Sequence, residues 1–184
     1  MRNSLLFFSK FFLQPLSNAS LRPTTKRAAR KLCASIDWES TENKIIMELW
    51  PGTWPVTEHI LDEMGNDCLY YGIEFDSDYI KILQEKYPKK NVSFIQWDVG
   101  NIKNILKDNK IDHVDIIIST LPFNVLRDSP QLISFIQEST KKGVQFRGIS
   151  YAHPKSYDIY KVLDRKIHSY TLQNVPPMYV FGIN

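Results

Sequence analysis

The sequence predicts an α/β fold, a doubly wound and mostly parallel sheet that ends in an antiparallel hairpin and is preceded by N-terminal helices. From about residue 44 onward, five short apolar runs alternate with amphipathic segments, which is the pattern of a parallel sheet with helices on both faces. Two more apolar runs near the end have no helix between them, and these predict the hairpin. With 43% hydrophobic residues in 184, the chain is long enough for one sizeable core.

The individual elements are predicted from the period of the apolar residues and from capping residues. The second helix of the chain starts at Thr24 or Thr25, which can cap it, and runs to about Ile36. The predicted strands span 44–49, 69–74, 92–96, 114–119, 143–150, 166–172 and 178–183. The predicted helices that follow the first four of these strands span 56–64, 78–87, 101–106 and 129–140.

Residues 1–36 are predicted to form a lead of amphipathic and basic helices ahead of the main domain, residues 37–184. The lead has seven basic residues and no acidic one. Such a segment suits an anionic surface, either a membrane or a nucleic acid, although a solvated helix face is the alternative for any single residue.

The first apolar run, residues 5–13, is too short to cross a bilayer and is interrupted by Lys10. A helix over this run places four phenylalanines on one face: Phe7, Phe8, Phe11 and Phe12. Such a face is typical of helices that lie in a membrane interface, and it suits packing onto the domain equally well. The sequence leaves both possibilities open.

The two cysteines, Cys33 and Cys68, have neither metal-ligand spacing nor the number needed for a disulfide framework. The sequence therefore predicts no metal site and a reducing compartment. We expect a cytoplasmic protein that is peripheral at the inner face of the membrane.

The turn after the first strand reads Glu48-Leu49-Trp50-Pro51-Gly52-Thr53-Trp54, and strand, turn and helix form the context of a nucleotide-binding loop. The segment resembles the first motif of class I S-adenosylmethionine-dependent methyltransferases, Glu-Leu-Gly-Pro-Gly-Thr-Gly, with tryptophan at the first and third glycines. The resemblance implies a Rossmann-like fold with S-adenosylmethionine as the cofactor. It places five residues of the turn at that cofactor: Glu48, Trp50, Gly52, Thr53 and Trp54.

Two more acidic residues follow the next predicted strands, Glu74 at the end of the second and Asp98 just after the third. Ligands of an open parallel sheet bind beyond the carboxyl ends of its strands. A carboxylate at Glu74 can accept hydrogen bonds from both ribose hydroxyls, and one at Asp98 can accept from the adenine amino group. Three acids at successive strand ends therefore favour the cofactor site over separate helix caps.

The fourth strand ends in Ser119-Thr120-Leu121-Pro122-Phe123-Asn124, at the position that faces the methyl acceptor in these folds. Bacterial phospholipid N-methyltransferases carry Ser-Gly-Leu-Pro there, which this segment resembles with Thr120 in place of glycine. Blocks near the end resemble the same family, namely 144–146, Tyr151 with Pro154, and 174–180. Ribosomal RNA adenine dimethylases carry Asn-Leu-Pro-aromatic instead, and their asparagine is missing here.

The resemblance implies stepwise methylation of the amine of phosphatidylethanolamine toward phosphatidylcholine at the membrane surface. It implies catalytic roles for Tyr151, His153 and Ser119, with Ser119 also near the cofactor. The substrate-binding residues that it implies are Leu121, Pro122, Phe123, Tyr151 and Asn174. A methyltransferase acting on RNA adenine is the alternative enzyme, disfavoured because no basic and aromatic surface is evident beyond the lead.

Trp97 stands where the same family has glycine before the aspartate, so three of the four tryptophans occupy family glycine positions. An indole at these positions would fill the methionine or adenine pocket. One common cause is a UGA codon, which some bacterial lineages read as glycine and other translation tables read as tryptophan. The alternative is a pseudoenzyme that keeps the fold and binds lipid without catalysis.

Overall fold

The computed structural model describes residues 25–38, 43–52, 55–97, 101–121, 129–150, 166–171 and 178–183. The helices in these ranges are α1 (Lys26–Cys33), α2 (Pro55–Glu63), α3 (Ser77–Lys86), α4 (Ile102–Asp108) and α5 (Pro130–Lys141). The strands are β1 (Ile45–Leu49), β2 (Leu69–Glu74), β3 (Val92–Gln96), β4 (Ile116–Ser119), β5 (Gln145–Ser150), β6 (Lys166–Thr171) and β7 (Met178–Ile183).

All seven strands belong to one sheet in the order β3-β2-β1-β4-β5-β7-β6. The pairs among β1 to β5 are parallel, whereas β7 is antiparallel to both β5 and β6. The predicted fold is confirmed, including the hairpin at the end. Strand order reverses between β1 and β4, and a ligand of such a sheet binds beyond the carboxyl ends at that point.

Two strands begin two residues later than predicted, β4 at Ile116 and β5 at Gln145. The side chain of Asp115 accepts a hydrogen bond from the backbone of Ile45 at 2.8 Å, in the position before β4. The backbone N–H of Val144 donates to the carbonyl of Ser139 at the end of α5 and therefore closes that helix. Just before β4 and β5 begin, Asp115 thus contacts the start of β1 and Val144 contacts the end of α5.

The core has one layer on each face of the sheet. One layer packs beside α4 and α5 and includes Met47, Leu49, Ile117 and Phe146. The other packs beside α1, α2 and α3 and includes Ile46, Tyr70, Ile118 and Val180. Residues of β1 alternate between the two layers, as the two-residue period of a strand requires.

Helix α1 is part of this core, because Ala28, Ala29, Leu32 and Cys33 are buried. Its N-cap is Thr25, one of the two predicted, whose hydroxyl accepts a hydrogen bond from the Ala28 N–H at 3.2 Å. The part of the predicted lead that the structure describes therefore packs onto the sheet. Residues 1–24, with the phenylalanine helix, lie outside the described residues.

Three contacts orient α1. Near its start, Lys26 pairs with Glu58 of α2 at 3.2 Å, and α2 starts at the carboxyl edge of the sheet. Farther along, Lys31 donates to the carbonyl of Tyr170, near the carboxyl end of β6. Past its end, Ser35 accepts from the guanidinium of Arg147, near the start of β5, at 2.7 Å. The amino end of α1 therefore lies toward the carboxyl edge.

None of the helices in the described part of the chain is long and apolar enough to cross a membrane.

Candidate cofactor-binding site

The turn after β1 is fixed from both neighbouring strands. On one side, the backbone N–H of Trp50 donates to the carbonyl of Ile73 at 2.9 Å. On the other, the Thr120 hydroxyl donates to the carbonyl of Trp50 at 2.6 Å, and the Thr120 N–H donates to the carbonyl of Leu49 at 3.2 Å. The turn thus lies at the switch point of the sheet, where the sequence placed it. Thr120 was not among the predicted site residues. The signal available in the sequence was a hydroxyl residue at the end of a strand that neighbours a glycine-type turn.

Two residues of this turn have left-handed backbone, Trp50 with φ of 68° and Gly52 with φ of 50°. Glycine adopts this conformation freely, whereas other L-residues pay roughly 1–2 kcal/mol because Cβ approaches the following carbonyl. The half-buried indole of Trp50 packs against the core layer below and lies beside Gly52. The backbone conformation at position 50 therefore favours glycine over tryptophan.

Glu74 binds the turn with its carboxylate. One oxygen accepts from the N–H of Gly52 at 3.0 Å, and the other accepts from the N–H groups of Phe75 at 2.8 Å and Asp76 at 3.0 Å. Burial raises the pKa of Glu74, and the three backbone donors act against that rise. The structure therefore brings two predicted site residues, Glu74 and Gly52, into direct contact.

Trp97 follows β3 on the other side of the same acid. Its backbone N–H donates to the carbonyl of Glu74 at 2.8 Å. Its side chain is 2% exposed and packs in the core layer beside α4 and α5. Among the described residues, its indole N–H has no hydrogen-bond partner. A buried donor without a partner costs about 1–3 kcal/mol.

The Glu48 side chain points to the opposite face of the sheet from Leu49 and lies beneath α2. One carboxylate oxygen accepts hydrogen bonds from the hydroxyls of Thr57, at 2.8 Å, and Tyr70. The other oxygen has no partner among the described residues. Complete burial raises the pKa of Glu48 to about 7, although the two hydrogen bonds act against that rise. Its predicted cofactor contact stays a prediction.

Thr57 and Tyr70 were not predicted as members of this cluster. A threonine on the buried face of α2 and a tyrosine inside a buried strand were the signals available in the sequence. Neither spacing shows that the two hydroxyls reach one carboxylate, because that contact depends on how the helix crosses the sheet.

On the acceptor side, Ser119 is buried and its hydroxyl accepts from the backbone N–H of Leu121 at 3.3 Å. The Leu121 side chain packs in the core layer beside α5. Both residues lie next to Thr120 and hence to the turn after β1, but their catalytic and substrate roles stay predictions. Eight other predicted site residues lie outside the described residues: Thr53, Trp54, Asp98, Pro122, Phe123, Tyr151, His153 and Asn174.

A cleft elsewhere on the described surface lies at the amino ends of β4 and β5, the opposite edge of the sheet from this turn. Charged residues of both signs line it, and they pair with one another, as Lys44 does with Asp115 and Lys103 with Glu138. This cleft therefore takes no part in the predicted site.

The chain is similar to the ornithine lipid N-methyltransferase of Singulisphaera acidiphila, with 32% identity over 123 residues. The match covers 66% of this chain and 63% of that protein, so the chain spans less than two thirds of the relative. No protein-family model matches the sequence.

Solved structures share the fold. Precorrin-6y C5,15-methyltransferase from Geobacter metallireducens matches with a TM-score of 0.67 and 9% identity, over 90% of this chain and 93% of that one. TrmN from Thermus thermophilus matches with a TM-score of 0.65 and 14% identity, over 89% of this chain and 50% of that one. Fibrillarin from Aeropyrum pernix was solved with natively bound S-adenosylmethionine. It matches with a TM-score of 0.58 and 17% identity, over 89% of this chain and 76% of that one. This chain therefore has the class I methyltransferase fold.

The relatives support S-adenosylmethionine as the cofactor, and part of the site fits it. The turn after β1 and the acid at the end of β2 have the expected backbone and positions. Trp50 and Trp97 depart from the family pattern, because they stand where the family has glycine, and their indoles pack with the core layer beside α4 and α5. The site therefore has the backbone frame expected for this cofactor, with bulky side chains at two of the family's glycine positions.

Replacing Glu74 by alanine removes the acceptor of the Gly52 N–H. Hydrogen bonds to charged groups contribute about 1.5–3 kcal/mol, so we expect the Gly52 amide to exchange with solvent about tenfold faster or more. Amide hydrogen exchange by NMR measures this. Asp76→Ala is the matched control, because Asp76 caps α3 through Asp78 and Tyr79 and its side chain does not bind Gly52. An unchanged exchange rate of the Gly52 amide in Glu74→Ala would contradict this hydrogen bond.

Glu48→Gln tests the buried cluster beneath the turn. The folded pKa of Glu48, about 7, lies above its ordinary value of 4.5, so the folded protein holds this proton more tightly than the unfolded chain. The free energy of unfolding therefore falls as pH rises between these values, by on the order of 3 kcal/mol. Glutamine cannot ionise, and we expect the variant to lose this part of the pH dependence.

Urea unfolding at about pH 5 and about pH 8 measures the difference. Glu138→Gln is the control, because Glu138 is exposed and its hydrogen bond to Lys103 lowers the pKa of its carboxyl, the opposite direction. If the free energy of unfolding of Glu48→Gln fell between these two pH values as much as that of the unaltered chain, Glu48 would not be the group that holds the proton.

Proposed function

We propose that this chain is an S-adenosylmethionine-dependent N-methyltransferase that acts on the amine of a membrane lipid. The observation that carries the proposal is the 32% identity to a lipid N-methyltransferase over 123 residues. Phosphatidylethanolamine is the acceptor implied by the sequence motifs, and ornithine lipid is the acceptor in the relative's name. An amine in a lipid head group is common to both.

The position of α1 supports a membrane acceptor. Its apolar face is buried in the core, and its basic face includes the exposed residues Arg27 and Arg30. The amino end of α1 lies toward the carboxyl edge of the sheet, the edge that carries the turn after β1. A basic residue near an anionic leaflet contributes about 1 kcal/mol. A surface docked through this helix would bring lipid head groups close to the site.

The contribution of the described residues to the reaction is positional. The hydrogen bonds of Glu74 and Thr120 hold the turn after β1 between β2 and β4 before any ligand arrives. Transfer between two bound molecules depends strongly on such alignment. Ser119, next to Thr120, ends the strand that faces the acceptor in this fold, which supports an acceptor region beside this turn.

The acceptor is tested with labelled S-adenosylmethionine and the variant W50G/W54G/W97G, alongside the chain as written. We expect label in vesicles that contain phosphatidylethanolamine or ornithine lipid, and none in vesicles of phosphatidylglycerol, which offers no amine. Comparison of the two amine lipids identifies the acceptor. Label in ribosomal RNA would contradict the lipid proposal and favour the RNA alternative. Cofactor binding without transfer to any acceptor would indicate a pseudoenzyme.

Charge reversal on α1 tests the membrane surface. We expect Arg27→Glu with Arg30→Glu to weaken sedimentation with phosphatidylglycerol vesicles at least roughly tenfold, because two attractive charges become repulsive. Added salt should weaken the binding of the unaltered chain in the same assay. Lys89→Glu with Lys90→Glu is the matched control, since these exposed residues lie in the turn between α3 and β3. Equal loss in both double variants would mean that net charge, rather than this helix, governs binding.

A further inference from the structure

The backbone at position 50 distinguishes Trp50 from the other residues with positive φ. Among the described residues other than glycine, only Asn43, Trp50 and Lys110 have it. Asparagine tolerates this conformation, and Lys110 follows the C-cap of α4, where left-handed residues commonly end a helix. Trp50 is a bulky aromatic residue between a strand and a helix. Its position lacks both of these reasons for a left-handed residue.

Trp97 is unsuited to its place for a different reason. Buried tryptophans usually find a hydrogen-bond partner for the indole N–H, and this one has none among the described residues. Because the side chain is 2% exposed, water does not readily replace that partner. Strained backbone at position 50 and an orphaned donor at position 97 are independent faults.

Both faults lie beside Glu74. Trp50 is two residues from Gly52, which donates to the Glu74 carboxylate, and Trp97 donates its backbone N–H to the Glu74 carbonyl. Trp38 provides the contrast, since it follows α1, packs against the other core layer and has no left-handed backbone. The tryptophans with faults are thus those at the candidate cofactor site.

We infer that positions 50, 54 and 97 are glycine in the functional protein, encoded by UGA codons that its organism reads as glycine. Glycine relieves the backbone at position 50 and removes the buried donor at position 97, and it restores the residue that the family motif has at both positions. Position 54 lies outside the described residues and is included because it occupies the third glycine of the same motif. The identity of the cofactor rests on the proposed function, whereas the codon assignment does not.

The hydrogen bonds around the turn argue against the alternative of a decayed site. Glu74 keeps three backbone donors and Thr120 keeps its bond to the Trp50 carbonyl, so the frame of the loop is complete. Only the side chains at the glycine positions conflict with it. A single misreading of one codon explains a complete frame with misplaced side chains at positions 50 and 97.

The coding DNA and the native protein test the codon assignment. We expect UGA at positions 50, 54 and 97 and UGG at position 38, together with peptides from the native host that carry glycine at the three positions by mass spectrometry. UGG at any of the three positions, or tryptophan there in the native peptides, overturns the inference.

Cofactor binding tests the consequence for the site. By calorimetry, we expect W50G/W54G/W97G to bind S-adenosylmethionine at least about tenfold more tightly than the chain as written, a difference of about 1.4 kcal/mol. W38G is the matched control and should bind no more tightly than the written chain. Equal affinity of the tryptophan-containing chain and the triple variant for S-adenosylmethionine would overturn the claim that the indoles hinder cofactor binding. UGA codons with no binding by the triple variant would retain the recoding and overturn the proposed function instead.

Single variants keep the inference testable if the triple variant fails to fold. W50G and W50A both remove the indole, but only glycine relieves the left-handed backbone. We expect W50G to unfold at a higher urea concentration than W50A. A W50A variant as stable as W50G would show that position 50 does not require glycine.

Discussion

The candidate site depends on one carboxylate that ties two neighbouring strand ends together. Glu74 ends β2, yet it accepts a hydrogen bond from Gly52 in the turn after β1 as well as from two N–H groups of its own turn. A charged acceptor shared by three backbone donors is strong, and it fixes donors that would otherwise need water. The shape of the turn is therefore set before a ligand binds.

A second carboxylate, that of Glu48 in β1, stands two residues before the turn in the sequence and has different surroundings. Glu48 is fully buried, with two hydroxyl donors on one oxygen and none among the described residues on the other, and its pKa lies near 7. Glu74 has donors on both oxygens. Burial raises the pKa of both acids, but three backbone donors oppose the rise at Glu74, whereas two hydroxyl donors on a single oxygen oppose it at Glu48.

The fold was predictable because strands, turns and helices each leave a local pattern, and all seven strands lie where apolar periodicity placed them. The placement of Glu74 at the same edge of the sheet as the turn followed from the meeting of strand ends, but its hydrogen bond to Gly52 was not predicted. The orientation of Glu48 was not predicted either, although its alternation with Leu49 along β1 carries that information. Contacts of Thr57, Tyr70 and Thr120 join segments that are distant in sequence, and only the strand order and the packing of α2 on the sheet decide them.

At two tryptophans, Trp50 and Trp97, the side chain disagrees with the fold around it. Elsewhere, caps, strand alternation and turn residues agree with one fold, as expected of a sequence selected for it. At position 50 a tryptophan has left-handed backbone, and at position 97 a buried indole N–H has no partner among the described residues. The backbone hydrogen bonds around both positions are nevertheless formed. Selection for a new role would be expected to adjust the neighbours of such residues. An unadjusted frame around them is better explained by glycine at those positions than by a function gained through tryptophan.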